Sequence, residues 1–212
     1  MLLDQERGNP VDQASLDALV DVRVAHVLAK EAEVGIDSAN DGEQARVGFQ
    51  TYIPQRMDGF GGVSKRPFGR EFVEFSQFTQ RMLARIPKPQ QGASTPPQAV
   101  GPLKYRDTAA IDGEIARYQR LSAPMKSRFS ELFMNAPSPG IIATTMLNAH
   151  YPSHQDYLDA IAREMQIEYR RVVDADLSCR STRPISRWSV SCSTRTPRTP
   201  SSRSWSSSTW RL

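Results

Sequence analysis

Up to Asp176 the chain has neither cysteine nor tryptophan: Cys179, Cys192, Trp188, Trp205 and Trp210 all fall in residues 177–212. A cysteine-free body excludes a disulfide framework there and fits a reducing compartment. No apolar run approaches the roughly 18 residues that a membrane span requires. The opening Met1-Leu2-Leu3-Asp4-Gln5-Glu6-Arg7 has no apolar stretch of the signal-peptide kind. These absences lead us to expect a soluble cytoplasmic protein with no membrane partner.

Residues 177–212 lack different things. They contain no Asp, Glu, Lys, Gly or Ala, and 24 of the 36 are Ser, Thr or Arg. The seven arginines among them carry the positive balance of the whole chain. Without them, 20 basic residues face 23 acidic ones and a formal charge of +4 becomes −3. The isoelectric point near 9.3 therefore belongs to the tail, and the body gives no reason to expect a nucleic-acid partner.

What is present before residue 177 is ordinary globular patterning. In residues 12–32, Leu16, Leu19, Val20, Val24, Val27 and Leu28 share one face at a 3.6-residue period. That predicts a helix with Asp12 as N-cap and Gly35 at its exit. Residues 35–40 suit a short buried strand that delivers the acidic turn Asp41-Gly42-Glu43. The glycines of residues 59–62 predict a loop. Phe72, Phe75, Phe78, Met82 and Leu83 recur at helical spacing, which predicts an aromatic face packed on a core. Residues 86–98, with four prolines, read as a connector.

Residues 99–102 suit a second strand and turn, and residues 107–121 a helix with Ile111, Ile115, Tyr118 and Leu121 inward. Leu132-Phe133-Met134 is the third strand, leading to a turn over residues 136–140. The last helix spans residues 153–173, opened by a capping box of Ser153 and Asp156 and striped by Leu158, Ile161, Met165, Tyr169 and Val172. Three strand–turn–helix units in series predict an α/β fold with parallel strands and crossover helices. Chemistry in such folds gathers on loops after the strands' C-terminal ends. Those loops are expected to hold Asp41 and Glu43, then Lys104 and Tyr105, then Ser138 and Asn148. Pattern alone attaches no reaction to them.

Six strings carry a resemblance: G-I-D-S-A-N-D-G-E-Q (35–44), G-F-G-G (59–62), V-G-P-L-K-Y-R-D (100–107), S-P-G (138–140), H-Y-P-S-H-Q-D-Y-L (150–158) and E-Y-R-R-V-V-D-A (168–175). In this order they resemble the C-terminal catalytic barrel of cobalamin-independent methionine synthases and their shorter single-barrel relatives. The resemblance implies a partial TIM-type (β/α)8 barrel over residues 1–176, its N-terminal portion only, followed by a non-native or disordered tail over 177–212. It also implies zinc-dependent transfer of a methyl group from a methylated folate or similar donor to homocysteine or another thiol. Zinc would lower the thiol pKa so that the nucleophile exists at neutral pH.

Carried over residue by residue, Asp41-Gly42-Glu43 stands where the family has His-Gly-Glu, whose glutamate holds the amino end of homocysteine. Glu43 is thus the chief substrate-binding candidate, with Asp41 and Gly42 beside it. Aspartate in place of histidine at Asp41 resembles the shorter relatives. Gly101-Pro102 matches the family's Gly-Pro turn, which shapes backbone near the site. The family's first barrel strand would precede Met1. Its zinc ligands, a His-x-Cys pair, a Glu and a further Cys, would follow Leu212. No catalytic residue or metal ligand is therefore expected in this chain, and His26, His150 and His154 are read as structural or solvent-facing. A chain so cut is expected to be inactive alone and to self-associate through exposed barrel edges.

Where the family continues into a strand reading roughly V-Q-I-D-x-P, this chain gives Leu177-Ser178-Cys179-Arg180-Ser181-Thr182. Loss of one nucleotide near the Leu177 codon explains the missing acids, the Arg and Ser excess and the late tryptophans together. The rival is a genuine basic, Ser-rich tail of a non-enzymatic protein that binds nucleic acid or another partner. Sequencing the gene separates them. The frame-change reading requires an open neighbouring frame that encodes V-Q-I-D across the Leu177 codon, and its absence would end that reading.

Overall fold

A computed structural model describes residues 1–6, 9–64, 70–85 and 96–182. Most of the proline-rich connector and the tail from residue 183 onward, with Cys192 and the three tryptophans, lie outside the described residues. Helix α1 (Leu2–Glu6) precedes α2 (Gln13–Glu33). In α2 only Leu16, Val20, Val24 and Leu28 are buried, a strict four-residue repeat, while Leu19 is 44% exposed. Each such buried side chain contributes roughly 1.5–3 kcal/mol. Asp12 is the N-cap, but its carboxylate accepts from the Ser15 hydroxyl instead of a backbone N–H. Gly35 leaves the helix at φ +77°, as its position predicts.

Strand β1 (Ser38–Ala39) leads through the Asp41–Glu43 turn to α3 (Phe49–Arg56), β2 (Met57–Gly61), α4 (Arg70–Glu74) and α5 (Ser76–Arg85). Then come β3 (Gln98–Tyr105), α6 (Ala109–Ser122), a 3-10 turn (Ala123–Arg128) and β4 (Glu131–Pro137). Helices α7 (Pro139–Thr145) and α8 (His154–Asp174) connect β4 to β5 (Ser178–Thr182). Strands β1, β4 and β5 form a parallel sheet in the order β1-β4-β5. This is a mixed α/β fold in which helices cross between parallel strands, consistent with a partial barrel-like domain.

Glu131 fixes the register of all three strands. Its carboxylate accepts from the Ser38 hydroxyl of β1 at 3.0 Å, from the Ser178 hydroxyl, and from Arg180 of β5 at 2.7 Å. The Ser178 hydrogen bond, with those of Ser38 and Arg180, holds this carboxyl below its ordinary range against the pull of burial.

Four sequence expectations need correction. Residues 59–61 are not loop but part of β2, which pairs antiparallel with β3 across a bulge between Asp58 and Phe60. β3 therefore leaves the parallel sheet, touching parallel partners only where Ala99 bridges to Asn148. Its length also places Lys104 and Tyr105 inside a strand, not in a loop. The third concerns Phe75 and Phe78, which are 61% and 63% exposed: α4 breaks before α5, and Thr79 is the buried residue of that face. The fourth is the tail boundary. Leu177 is buried and residues 178–182 complete the sheet, because strand pairing uses backbone groups that any side chain sequence supplies.

Glycine at position 59 is a steric requirement. It sits at φ +95°, and a Cβ there would lie 2.5 Å from the carbonyl oxygen of Pro102. Gly113 in α6 is the opposite case, with nothing within 4 Å of an added Cβ. We expect Gly113→Ala to raise stability by roughly 0.5–1 kcal/mol. Gly59→Ala should lower it by about 1–3 kcal/mol. Urea unfolding of both variants checks this, and equal midpoints would contradict the β2–β3 geometry.

Candidate functional site

The Asp41–Glu43 turn leaves β1 at its C-terminal end and is held from several sides. Asn40 Oδ1 accepts from the Gly42 N–H at 2.8 Å, and Asp41 Oδ1 from the Glu43 N–H at 3.0 Å. Gly42 and Glu43 are consecutive left-handed residues, at φ +64° and +55°. A Cβ on Gly42 would sit 3.0 Å from a Val27 methyl, so glycine is needed for both shape and space. A left-handed glutamate is uncommon, and here the Asp41 carboxylate holds it in place.

Asp41 is thus an inward anchor, 6% exposed. Burial pushes its carboxyl above the ordinary range, the Glu43 N–H and Arg46 pull it back, and Glu114 and Glu43 push it further up. Glu43 points elsewhere, toward β4: its Oε1 accepts from Asn135 Nδ2 at 2.7 Å. No cation of the described residues pairs with the Glu43 carboxylate.

Behind this turn lies a buried chain of alternating charges that sequence reasoning did not find. Arg46 donates to the Asn135 carbonyl at 2.8 Å and to Glu114 at 2.6 Å. Glu114 also accepts from Arg56, which donates to Glu168 at 3.0 Å. Glu168 is wholly buried and further accepts from the hydroxyls of Tyr52 at 2.8 Å and Tyr105 at 2.7 Å. The Tyr52 ring lies beside both guanidinium groups, 4.5 Å from Arg46 and 4.3 Å from Arg56. Burial pushes the Glu114 carboxyl up, but Arg46 and Arg56 together outweigh it and the carboxyl is held low. Burial first, then the Glu168 charge, raises both tyrosine hydroxyls, so they stay protonated and donate.

Removing one member of such a buried pair costs ~3–5 kcal/mol, because the other is left uncompensated. Arg46 Nε has no hydrogen-bond partner among the described residues, and an orphaned buried donor costs about 1–3 kcal/mol. The outer side of the chain borders a cleft of about 450 Å³ lined by Arg46, Tyr52, Arg56 and Glu114. A signal was present in the sequence. Glu164 and Glu168 fall on the stripe of Ile161, Met165 and Tyr169, and Glu114 adjoins Ile111 and Ile115. Acids on an apolar face need partners.

The other candidates do not join the turn. Gly101 and Pro102 lie on β3, in the two-stranded sheet, where their backbone packs against Gly59. They shape a mid-strand bulge and not a strand-ending turn. Ser138 caps α7 by accepting from the Ile141 N–H, and Asn148 organises the turn to Tyr151. His26, His150 and His154 are exposed. Among the described residues no group of three His, Cys, Asp or Glu could hold a metal ion. The described residues offer no set of donors that fits the zinc implied by the resemblance. No helix of the described residues is long and apolar enough to cross a membrane.

No protein-family model matches the chain, and no curated protein does. Among solved structures it is similar to a B12-independent methionine synthase from Shewanella sp. W3-18-1, solved in complex with selenomethionine. The TM-score is 0.57 and the identity 16%, over 79% of this chain and 42% of that one. A Listeria monocytogenes protein assigned as a vitamin-B12 independent methionine synthase gives 0.45 and 16%, over 84% and 46%. The chain spans less than half the length of either structure, and identity at this level speaks to fold alone.

The raised Asp41 carboxyl has a stability consequence. A folded-state pKa above the unfolded value of 3.8 means that the folded chain binds this proton more tightly. The penalty for burying the charged form is then present at neutral pH and is relieved as pH falls. Asp41→Asn keeps an oxygen for the Glu43 N–H and removes the charge. It should be more stable than the parent at neutral pH, with the difference shrinking as pH falls and gone below 3.8. Paired urea titrations across that range test this; a difference that grows toward acid would contradict it.

Proposed function

We propose that this chain is a segment of a TIM-type barrel of the cobalamin-independent methionine synthase kind, and that its Asp41–Glu43 turn binds the amino end of a thiol amino acid. The observation that carries the reading is Glu43. Its carboxylate is fixed beyond the C-terminal end of a parallel strand, steadied by the neutral amide of Asn135 and unmatched by any described cation. A carboxylate so placed is suited to the ammonium group of an amino acid. The parallel sheet and the fold likeness to a methionine synthase support the reaction class we assign: S-methylation of homocysteine or a similar thiol, with a methylated folate or similar donor.

In that reaction the thiolate sulfur forms the new bond to the methyl carbon, and the donor keeps the electron pair of the bond that breaks. This chain's described residues contribute recognition of the amine. Activation of the thiol and binding of the donor fall outside them, so the chain is expected to bind without turning over.

Two measurements test the reading. Calorimetric titration with L-homocysteine should show binding that Glu43→Gln weakens by about 10- to 100-fold, the loss of one charge-assisted contact. The purified chain given homocysteine and methylated folate should form no methionine above background. Equal affinities for parent and variant would remove Glu43 from the site, and turnover by the chain alone would refute its dependence on other residues.

A further inference from the structure

We infer that Asn135 is the positioning residue of this site: it aims the Glu43 carboxylate while leaving its charge free for a cationic ligand. The inference rests on the reading of Glu43 as the amine-binding group and assigns a second residue to it.

Asn135 is gripped at two points. Its backbone carbonyl accepts from Arg46 at 2.8 Å, and its side-chain amide donates to Glu43 Oε1 at 2.7 Å. It lies in β4, in register with Arg180 of β5, so that strand holds its backbone on one side, while the pairing of β4 with β1 stops at Leu132. An asparagine amide facing a carboxylate must turn its NH2 toward it, which fixes the orientation of both groups.

Two contrasts point to positioning over plain structural support. Arg46 lies close enough to reach the Asn135 carbonyl, yet its second arm goes to Glu114 and not to Glu43. A guanidinium on Glu43 would have neutralised it; a neutral amide orients it without cancelling the charge. Arg46 also keeps Nε without an acceptor while spending both terminal nitrogens on Asn135 and Glu114. An arrangement chosen only to satisfy Arg46 would not leave that donor orphaned.

The experiment compares L-methionine with its desamino counterpart, methylthiobutanoate, by calorimetry on the full chain and on Asn135→Leu and Asn135→Asp. The parent should prefer L-methionine by about 10-fold or more, the contribution of one ammonium–carboxylate contact. Asn135→Leu should bring the ratio close to one, with a thermal midpoint near the parent's and methylthiobutanoate affinity unchanged, whereas Asn135→Asp, which sets a second carboxylate beside Glu43, should keep the preference for the amine. A ratio preserved in the Leu variant overturns the role of Asn135 and leaves Glu43 standing. A parent without amine preference overturns the Glu43 reading itself, and this inference with it. Equal loss for both ligands marks Asn135 as merely structural and likewise overturns the inference.

Discussion

Burial of the Glu168 carboxylate constrains much of this structure. A wholly buried negative charge is tolerable only when it is paired and hydrogen-bonded, and Glu168 draws its partners from two elements. Arg56 and Tyr52 come from α3, and Tyr105 from the end of β3. The same carboxylate therefore ties the antiparallel β2–β3 excursion to α8, whose apolar stripe packs beneath it. Arg56 cannot serve Glu168 alone. Its other arm takes Glu114 of α6, which in turn takes Arg46. Each acid recruits a base, and the chain of charges ends only at the Asn135 carbonyl, beside the candidate site.

That alternation separates two kinds of carboxylate. Glu114 and Glu168 are neutralised by arginines and serve the fold. Asp41 is buried without a direct ion pair among the described residues and serves the turn. Glu43 has neither burial of that degree nor, among the described residues, a cation, and it accepts from a neutral amide of the neighbouring strand. The positive backbone angles at Gly42 and Glu43 fit this division. Local strain is retained where surrounding contacts over-determine it, and here Val27, Asn40 and Asp41 do so.

How much of this was legible in the sequence follows from the range of each interaction. The helices α2, α6 and α8 were readable because one face of each meets a core at a fixed period, and Gly35 marked an exit that only local geometry dictates. The Asp41–Glu43 turn was readable through its resemblance to a known string. The pairing of β2 with β3 was not, because it depends on Gly59 meeting Pro102 more than forty positions away in the chain (59 to 102). Phe75 and Phe78 show the converse limit. Helical spacing says which residues share a face, but not whether anything packs on that face.

Leu177 to Thr182 takes the point one step further. The side chains there are those of a polar, low-complexity segment, and composition assigned them to the tail. Yet β4 offers a row of backbone donors and acceptors on its free side, and Leu177 fills the second core cluster directly before it. Ser178 and Arg180 happen to suit Glu131, which already faces that edge. A strand next to a pre-formed parallel edge needs backbone more than it needs a β-rich sequence. β5 therefore lies beyond the compositional boundary and pairs along β4 as far as Pro137, which stands opposite Thr182.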